Sequence, residues 1–205
     1  MYKIYVNQKT LIIISSQEKY NFNVNDGFLV IRYPGKAKFL LNYIDMLEKN
    51  SRVNKVVLYG DNEKEIFRDL KKIATPVKAA GGIVFNENKE LLVIFRRGYW
   101  DLPKGHIHKN EKKRHAAVRE VMEETGIKNV SVKNKAGKTY HIYKTGKKRH
   151  LKISYWYFME CKKQKLIPQI EEDISEARWV KIDTFLKEYE MYENIKDILM
   201  QIRFS

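Results

Sequence analysis

The chain has 205 residues, 43% of them hydrophobic and 32% charged, a balance that suits one large globular domain or a medium domain with a small companion. Its longest apolar runs, Leu91–Phe95 and Tyr155–Met159, are five residues each, far below the roughly 20 needed to cross a bilayer as a helix. A single cysteine, Cys161, excludes an internal disulfide framework and a Cys-based zinc cluster, and Met1–Tyr5 lacks a leader pattern, so a reducing, cytoplasmic setting without membrane contact is expected.

In chain order, Tyr2–Val6, Leu11–Ser15 and Phe28–Tyr33 read as strands, with Asn25-Asp26-Gly27 as a turn signal and Pro34-Gly35 as a stop. Phe39, Leu40, Tyr43, Ile44 and Leu47 recur at a helical period. Val53–Tyr59 is a strand of the buried type, and Ile66, Leu70 and Ile73 mark a second helix. Residues 1–75 therefore predict a small α/β domain of unknown role, with a seam near Thr75-Pro76. From 76 to 205 the pattern predicts a second domain. Strands Ala79–Phe85 and Glu90–Arg96 come first, then a loop (Gly98–His108) and a helix Glu111–Thr125 closed by Gly126. Strands follow near Asn129–Lys135, Lys138–Lys144 and Leu151–Cys161, with Thr145-Gly146-Lys147 as a hairpin turn. Ala177–Ile182 is the last strand, and Asp183 is expected to cap one helix running to about Ile202.

The chemistry concentrates between Gly105 and Ile127. Glycine is followed after five residues by Glu111, and after seven more by Arg119-Glu120-Val121-Met122-Glu123-Glu124-Thr125-Gly126-Ile127. With about 100° of turn per residue, Glu120, Glu123 and Glu124 form one acidic stripe, with Ala117, Val118 and Val121 as an apolar seam beside it. Three carboxylates within one turn repel one another and invite a cation. Mg²⁺ suits such oxygen ligands, since it binds one or two carboxylates together with waters and substrate phosphates. Arg119 is placed to pair with Glu123 at i,i+4. Upstream, Trp100-Asp101-Leu102-Pro103-Lys104-Gly105-His106 makes a tight loop whose backbone amides can face phosphate.

Residues 105–127 match the complete Nudix box, and the chain resembles the Nudix hydrolase family from residue 77 to about 185. Within that family the Trp-x-x-Pro-Lys-Gly-His run is most similar to the diadenosine tetraphosphate hydrolase branch. Tyr143, sixteen residues past Ile127, stands where that branch carries a tyrosine. The resemblance implies an α/β class Nudix fold, a mixed sheet in an α/β/α sandwich, preceded here by the small α/β N-terminal domain. It implies Mg²⁺-dependent hydrolysis of a phosphoanhydride in a nucleoside-diphosphate-linked substrate, with Mn²⁺ as the alternative ion. Expected metal ligands are Glu120, Glu123, Glu124 and Gly105. Expected catalytic residues are Arg119, Glu120, Glu123 and Glu172, the general base being either a box glutamate or Glu172. Expected substrate contacts are Lys104, Arg97, Tyr143 and Lys147; strand alternation leaves open which of Arg96 and Arg97 meets phosphate. The five histidines show no metal-ligand spacing, and His106 is a candidate phosphate neighbour.

The net charge of +15 is local, because residues 128–167 hold twelve Lys and Arg against one acid. Lys144, Lys147, Lys148 and Arg149 flank the predicted hairpin tip, where like charges repel unless an anion visits. The expected partner is a small-molecule polyphosphate, best matched by a dinucleoside polyphosphate. Alternatives are ADP-ribose, a 5′-triphosphorylated RNA end (the one nucleic-acid form expected) and diphosphoinositol polyphosphates. A homodimer is compatible with the sequence. The reading from another class is a non-catalytic Nudix domain that senses a ligand as a regulator; its usual degraded box and helical DNA-binding appendage are both missing here.

Overall fold

The computed structural model describes residues 1–17, 27–50 and 52–203, and the chain forms two compact units. The first comprises Met1–Val77 together with Tyr140–Lys152, and the second Lys78–Thr139 together with the chain from Ile153 on. The sequence places a seam at residue 75; it gives no sign that thirteen later residues join the first unit.

The first unit contains β1 (Tyr2–Val6), β2 (Lys9–Ser15), β3 (Phe28–Arg32), α1 (Lys38–Lys49), β4 (Lys55–Gly60) and α2 (Glu63–Ile73). β1 and β2 make an antiparallel hairpin, turning at Asn7 with φ 56°, a conformation asparagine tolerates. β2 and β3 each run parallel to β4, with Leu11 opposite Val56 and Val30 opposite Val57. Leu11, Ile12, Ile13 and Ile14 are all buried, as expected of a central strand covered on both faces. α1 buries Leu40, Ile44 and Leu47, and α2 buries Ile66, Phe67 and Leu70. Asn62 caps α2 by accepting the Lys64 amide at 3.0 Å. Asn25 and Asp26 of the expected turn lie outside the described residues.

The second unit is built from β5 (Thr75–Phe85), β6 (Glu90–Arg96), β7 (Tyr99–Asp101), β8 (Lys104–His106), α3 (Lys113–Thr125), β9 (Ser131–Thr145), β10 (Lys148–Glu160), β11 (Ile174–Lys181), α4 (Ile182–Glu188) and α5 (Glu193–Arg203). The tips of β9 and β10 belong to the first unit, where β1 runs parallel to β9 from Ile4 opposite Tyr140 to Val6 opposite Ile142. In the second unit the strand order is β11-β6-β5-β10-β9, with β7 on β6 and β8 on β5. Side-chain alternation splits the core into two layers. Ile83, Leu91, Val93 and Trp156 pack with Phe185, Ile195 and Leu199 of α4 and α5. Val84, Leu92 and Tyr157 pack with Ala116, Ala117 and Val121 of α3. This is the α/β/α sandwich of the Nudix fold.

Three local expectations are corrected. The 98–108 loop contains β7 and β8. The two strands expected at 129–144 are the single β9, which passes through Gly137 at φ 150°, a conformation glycine accommodates. The single terminal helix is two, because the backbone at 189–192 is used elsewhere: Glu190 O accepts the Trp100 amide at 3.0 Å and Met191 bridges Trp100. Lys181, with no side-chain cap bond, precedes α4, so Asp183 is not its cap. Among the described residues no helix is long and apolar enough to cross a membrane.

Candidate active site

Short β8 lays Gly105 against β5, opposite Ala80, and brings it under α3. A Cβ at Gly105 would lie 1.8 Å from Glu120 Oε2, so any side chain there would evict the carboxylate. α3 ends at Gly126 in the left-handed region, φ 73°, with its amide bonded to Met122 O. Along α3, Glu120 and Glu124 turn inward beside Ala116, Ala117 and Val121, while Glu123 remains half-exposed.

Arg119 organises the outer half of the site. Its Nε and Nη2 each donate to Glu111 at 2.9 Å, Nη1 donates to Glu120 at 2.7 Å and Glu123 at 2.8 Å, and Nη2 also reaches His106 O at 2.9 Å. The fork matches carboxylate geometry, which lysine could not reproduce. Arg119 holds the Glu111 carboxyl down to about 2, with the His108 amide adding a second bond at 2.9 Å. Burial pushes Glu120 up, against the pull of Arg119.

The inner half is built around Glu124, which is fully buried. Its Oε2 accepts the Lys104 amide at 2.7 Å, while Oε1 makes no hydrogen bond and lies 3.7 Å from Arg96 Nη1. Burial pushes this carboxyl up to about 7, with the charges of Lys104 and Arg96 opposing the shift. Arg96 also donates to Glu172 Oε2 at 3.3 Å, and its buried Nε has no partner. Glu172 ends a short 3-10 turn, Ile170–Glu172, on the surface side.

The structure thus brings Gly105, Glu111, Arg119, Glu120, Glu123, Glu124 and Glu172 together and rearranges the expected cations. The Lys104 ammonium turns inward onto Asp101, both side chains being buried, and so faces no open phosphate site. Arg97 points outward in the left-handed region and pairs with Asp173 at 2.8 Å on the surface. Arg96 is the arginine that meets the carboxylates. Asp101 carries no stronger sign in the sequence than an acid between Trp100 and Leu102, three residues before a lysine. Tyr143 and Lys147 belong to the first unit. There Tyr143 is half-buried and stacked between His150 (5.2 Å) and His141 (6.2 Å), and Lys147 is exposed at the turn. The hairpin charges are partly answered from within, since Glu48 of α1 binds Lys144 and Arg149, and Asp45 binds Arg149.

Fold and site define a helix–sheet–helix sandwich that presents a carboxylate-bearing loop–helix–loop. A family model described as the NUDIX domain matches residues 75–202, and the chain belongs to the Nudix family. A putative 8-oxo-dGTP diphosphatase of Bacillus subtilis is 39% identical over 71 residues, which is 34% of this chain and 46% of that protein. The chain spans less than half the length of the curated relatives it matches. Among solved structures, the MutT protein of Methanosarcina mazei superposes with a TM-score of 0.52 at 21% identity, covering 64% of this chain and 95% of that one. A C. elegans Ap4A hydrolase superposes with a TM-score of 0.50 at 20% identity, covering 62% and 96%. These likenesses are of fold.

Proposed function

We propose that this chain hydrolyses a phosphoanhydride bond of a nucleoside-diphosphate-linked substrate with a divalent cation, Mg²⁺ or Mn²⁺, and that its substrate is a dinucleoside polyphosphate such as diadenosine tetraphosphate. The observation that carries the reading is Glu124: a carboxylate buried without a hydrogen bond on Oε1, beside Glu120 and facing Arg96. Burying such an acceptor is costly unless something of opposite charge completes it.

The residues fit a cation that brings part of its own coordination shell. Glu124 Oε1 is unbonded, Glu120 and Glu123 each give only one oxygen to Arg119, and the missing side chain of Gly105 lets the Glu120 carboxylate lie against its backbone. Among the described residues no three acidic, His or Cys side chains converge tightly enough to hold an ion unaided. An ion here would need waters and substrate phosphates as further ligands, which Mg²⁺ accepts. Glu120, Glu123, Glu124 and the Gly105 carbonyl would hold it. When bound, it supplies charge that polarises phosphoryl oxygens and lowers the pKa of water.

Arg119 orients Glu120 and Glu123, and Glu111 fixes Arg119. Arg96, in the role expected of Arg97, offers positive charge to the transferring phosphoryl group. Glu172 or a box glutamate accepts the proton of the attacking water, and Glu172→Gln decides between them. Lys104 and Asp101 hold the loop whose amide fixes Glu124. The Trp100–His106 run supports the dinucleoside polyphosphate, and the Bacillus subtilis relative supports an oxidised nucleoside triphosphate as a second reading. The test is turnover with Mg²⁺ against diadenosine tetraphosphate, 8-oxo-dGTP, ADP-ribose and 5′-triphosphorylated RNA, read by product mass. A ranking led by the tetraphosphate is expected. Leadership by another substrate overturns the assignment, and no turnover of any overturns the reaction class.

A further inference from the structure

The leading end of α3 faces a cleft of about 550 Å³ lined by Lys112, Lys113, Arg114, Lys135, Lys138 and Tyr155. Five cations from two elements therefore converge on one space. The single acid at the rim, Glu111, is already held by Arg119 and the His108 amide. Lys133, two residues away, has Glu160 at 2.8 Å. Among the described residues none of the four cleft lysines has a carboxylate partner, and Arg114 donates only to Val132 O, at 3.0 Å.

The placement also opposes the helix. A helix N-terminus carries partial positive charge, so acids favour it and cations do not. α3 has no acid in its first turn, no side-chain cap and no base in its last turn, yet Lys112, Lys113 and Arg114 stand at its start. Such an end gains most from a bound anion. Tyr155 gathers two of these charges: Lys113 Nζ lies 4.2 Å and Lys138 Nζ 5.4 Å from its ring centroid. The volume exceeds the needs of one phosphate group.

We infer that this cleft binds an oligophosphate chain by charge, at a site distinct from Glu120, Glu123 and Glu124, none of which lines it. The test is calorimetric titration of the full chain with inorganic tripolyphosphate in EDTA, where the metal-free carboxylates repel anions. Saturable one-site binding that weakens with salt is expected. Lys113→Gln/Lys138→Gln should weaken it at least about ten-fold while the circular dichroism melt is unchanged. Lys147→Gln/Lys148→Gln, at the hairpin turn, should leave it intact. No binding by the wild type, or equal loss in both double variants, overturns the site. So does an RNA oligonucleotide that binds through Lys113 and Lys138 and resists displacement by tripolyphosphate. Because the titration contains no metal and reads binding alone, its result stands apart from the turnover screen.

Discussion

Two halves of one site treat carboxylates in opposite ways. Around Arg119, every donor of the guanidinium finds an acceptor, and Glu111 is pulled down to about 2. Around Glu124, one turn further, a buried carboxyl is pushed up to about 7, with one oxygen unbonded and an arginine nitrogen unpartnered beside it. A completed network is already at its electrostatic minimum and serves as scaffold. An incomplete one is where a ligand gains most by arriving, which is why the inner half is read as the reacting side.

The largest effect should come from removing the inner charge. Glu124→Gln keeps an acceptor for the Lys104 amide but should reduce turnover on the order of 10²-fold. It should also change stability. The folded carboxyl titrates near 7 against an ordinary 4.5. Between those values the folded state keeps a proton that the unfolded chain has lost, so metal-free stability falls as pH rises through this window and levels above it. The variant lacks that slope and should be more stable above pH 7, by at most about 3 kcal/mol. Denaturant titrations in EDTA at pH 5 and pH 8 measure this. A variant with the wild-type slope refutes a buried neutral Glu124.

Next comes the scaffold. Arg119→Lys cannot hold Glu111, Glu120 and Glu123 at once. It should lower kcat on the order of ten-fold and stability by about 1–3 kcal/mol, read by kinetics and a melt. Wild-type kcat in this variant would mean that carboxylate positioning is not its role. Arg96 and Arg97 then make a matched pair. Arg96→Gln should reduce kcat on the order of ten-fold. Arg97→Gln, whose ion pair with Asp173 is exposed, should leave kcat unchanged and stability within about 0.5 kcal/mol; the reverse ranking would restore Arg97 as the phosphate contact. Smallest is the acid limb. Glu111 contributes stability above pH 4.5 that is lost as pH falls toward 2. Glu111→Gln should flatten that limb, and an unchanged acid melt would show that Glu111 is not depressed.

Most strands and helices of both units were legible from apolar runs and periods, as in the unbroken run Leu11–Ile14 and the helical spacing of Leu40, Ile44 and Leu47 in α1. The outer half of the site was legible because Glu111, Arg119, Glu120 and Glu123 lie on one short segment whose spacing fixes their geometry. The inner half was legible only as separate residues, with Glu124, Glu172 and one of Arg96 and Arg97 expected there, because these and Asp101 meet only through strand pairing and loop closure. Lys104 shows the limit well: its position suggested phosphate, and only the burial of Asp101 beside it reveals an internal partner. The break between α4 and α5 was hidden for the same reason, since it is set by Trp100 rather than by local propensity. The charge of 128–167 was visible as a sum, but its division into answered and unanswered lysines depends on which of them meet Glu48, Asp45 and Glu160.

The membership of residues 140–152 in the first unit also has a bearing on the order of events at the ribosome. Glu48 waits for partners 96 and 101 residues further along the chain, and Asp45 for one 104 residues on. Ile4, Tyr5 and Val6 likewise lack their neighbouring strand until Tyr140–Ile142 emerge. The first unit therefore cannot finish folding when its own 77 residues have been made, although domains commonly fold in the order of their synthesis. About half of the second unit is translated first, and the exposed edge of β1 stays open to wrong pairings for that interval.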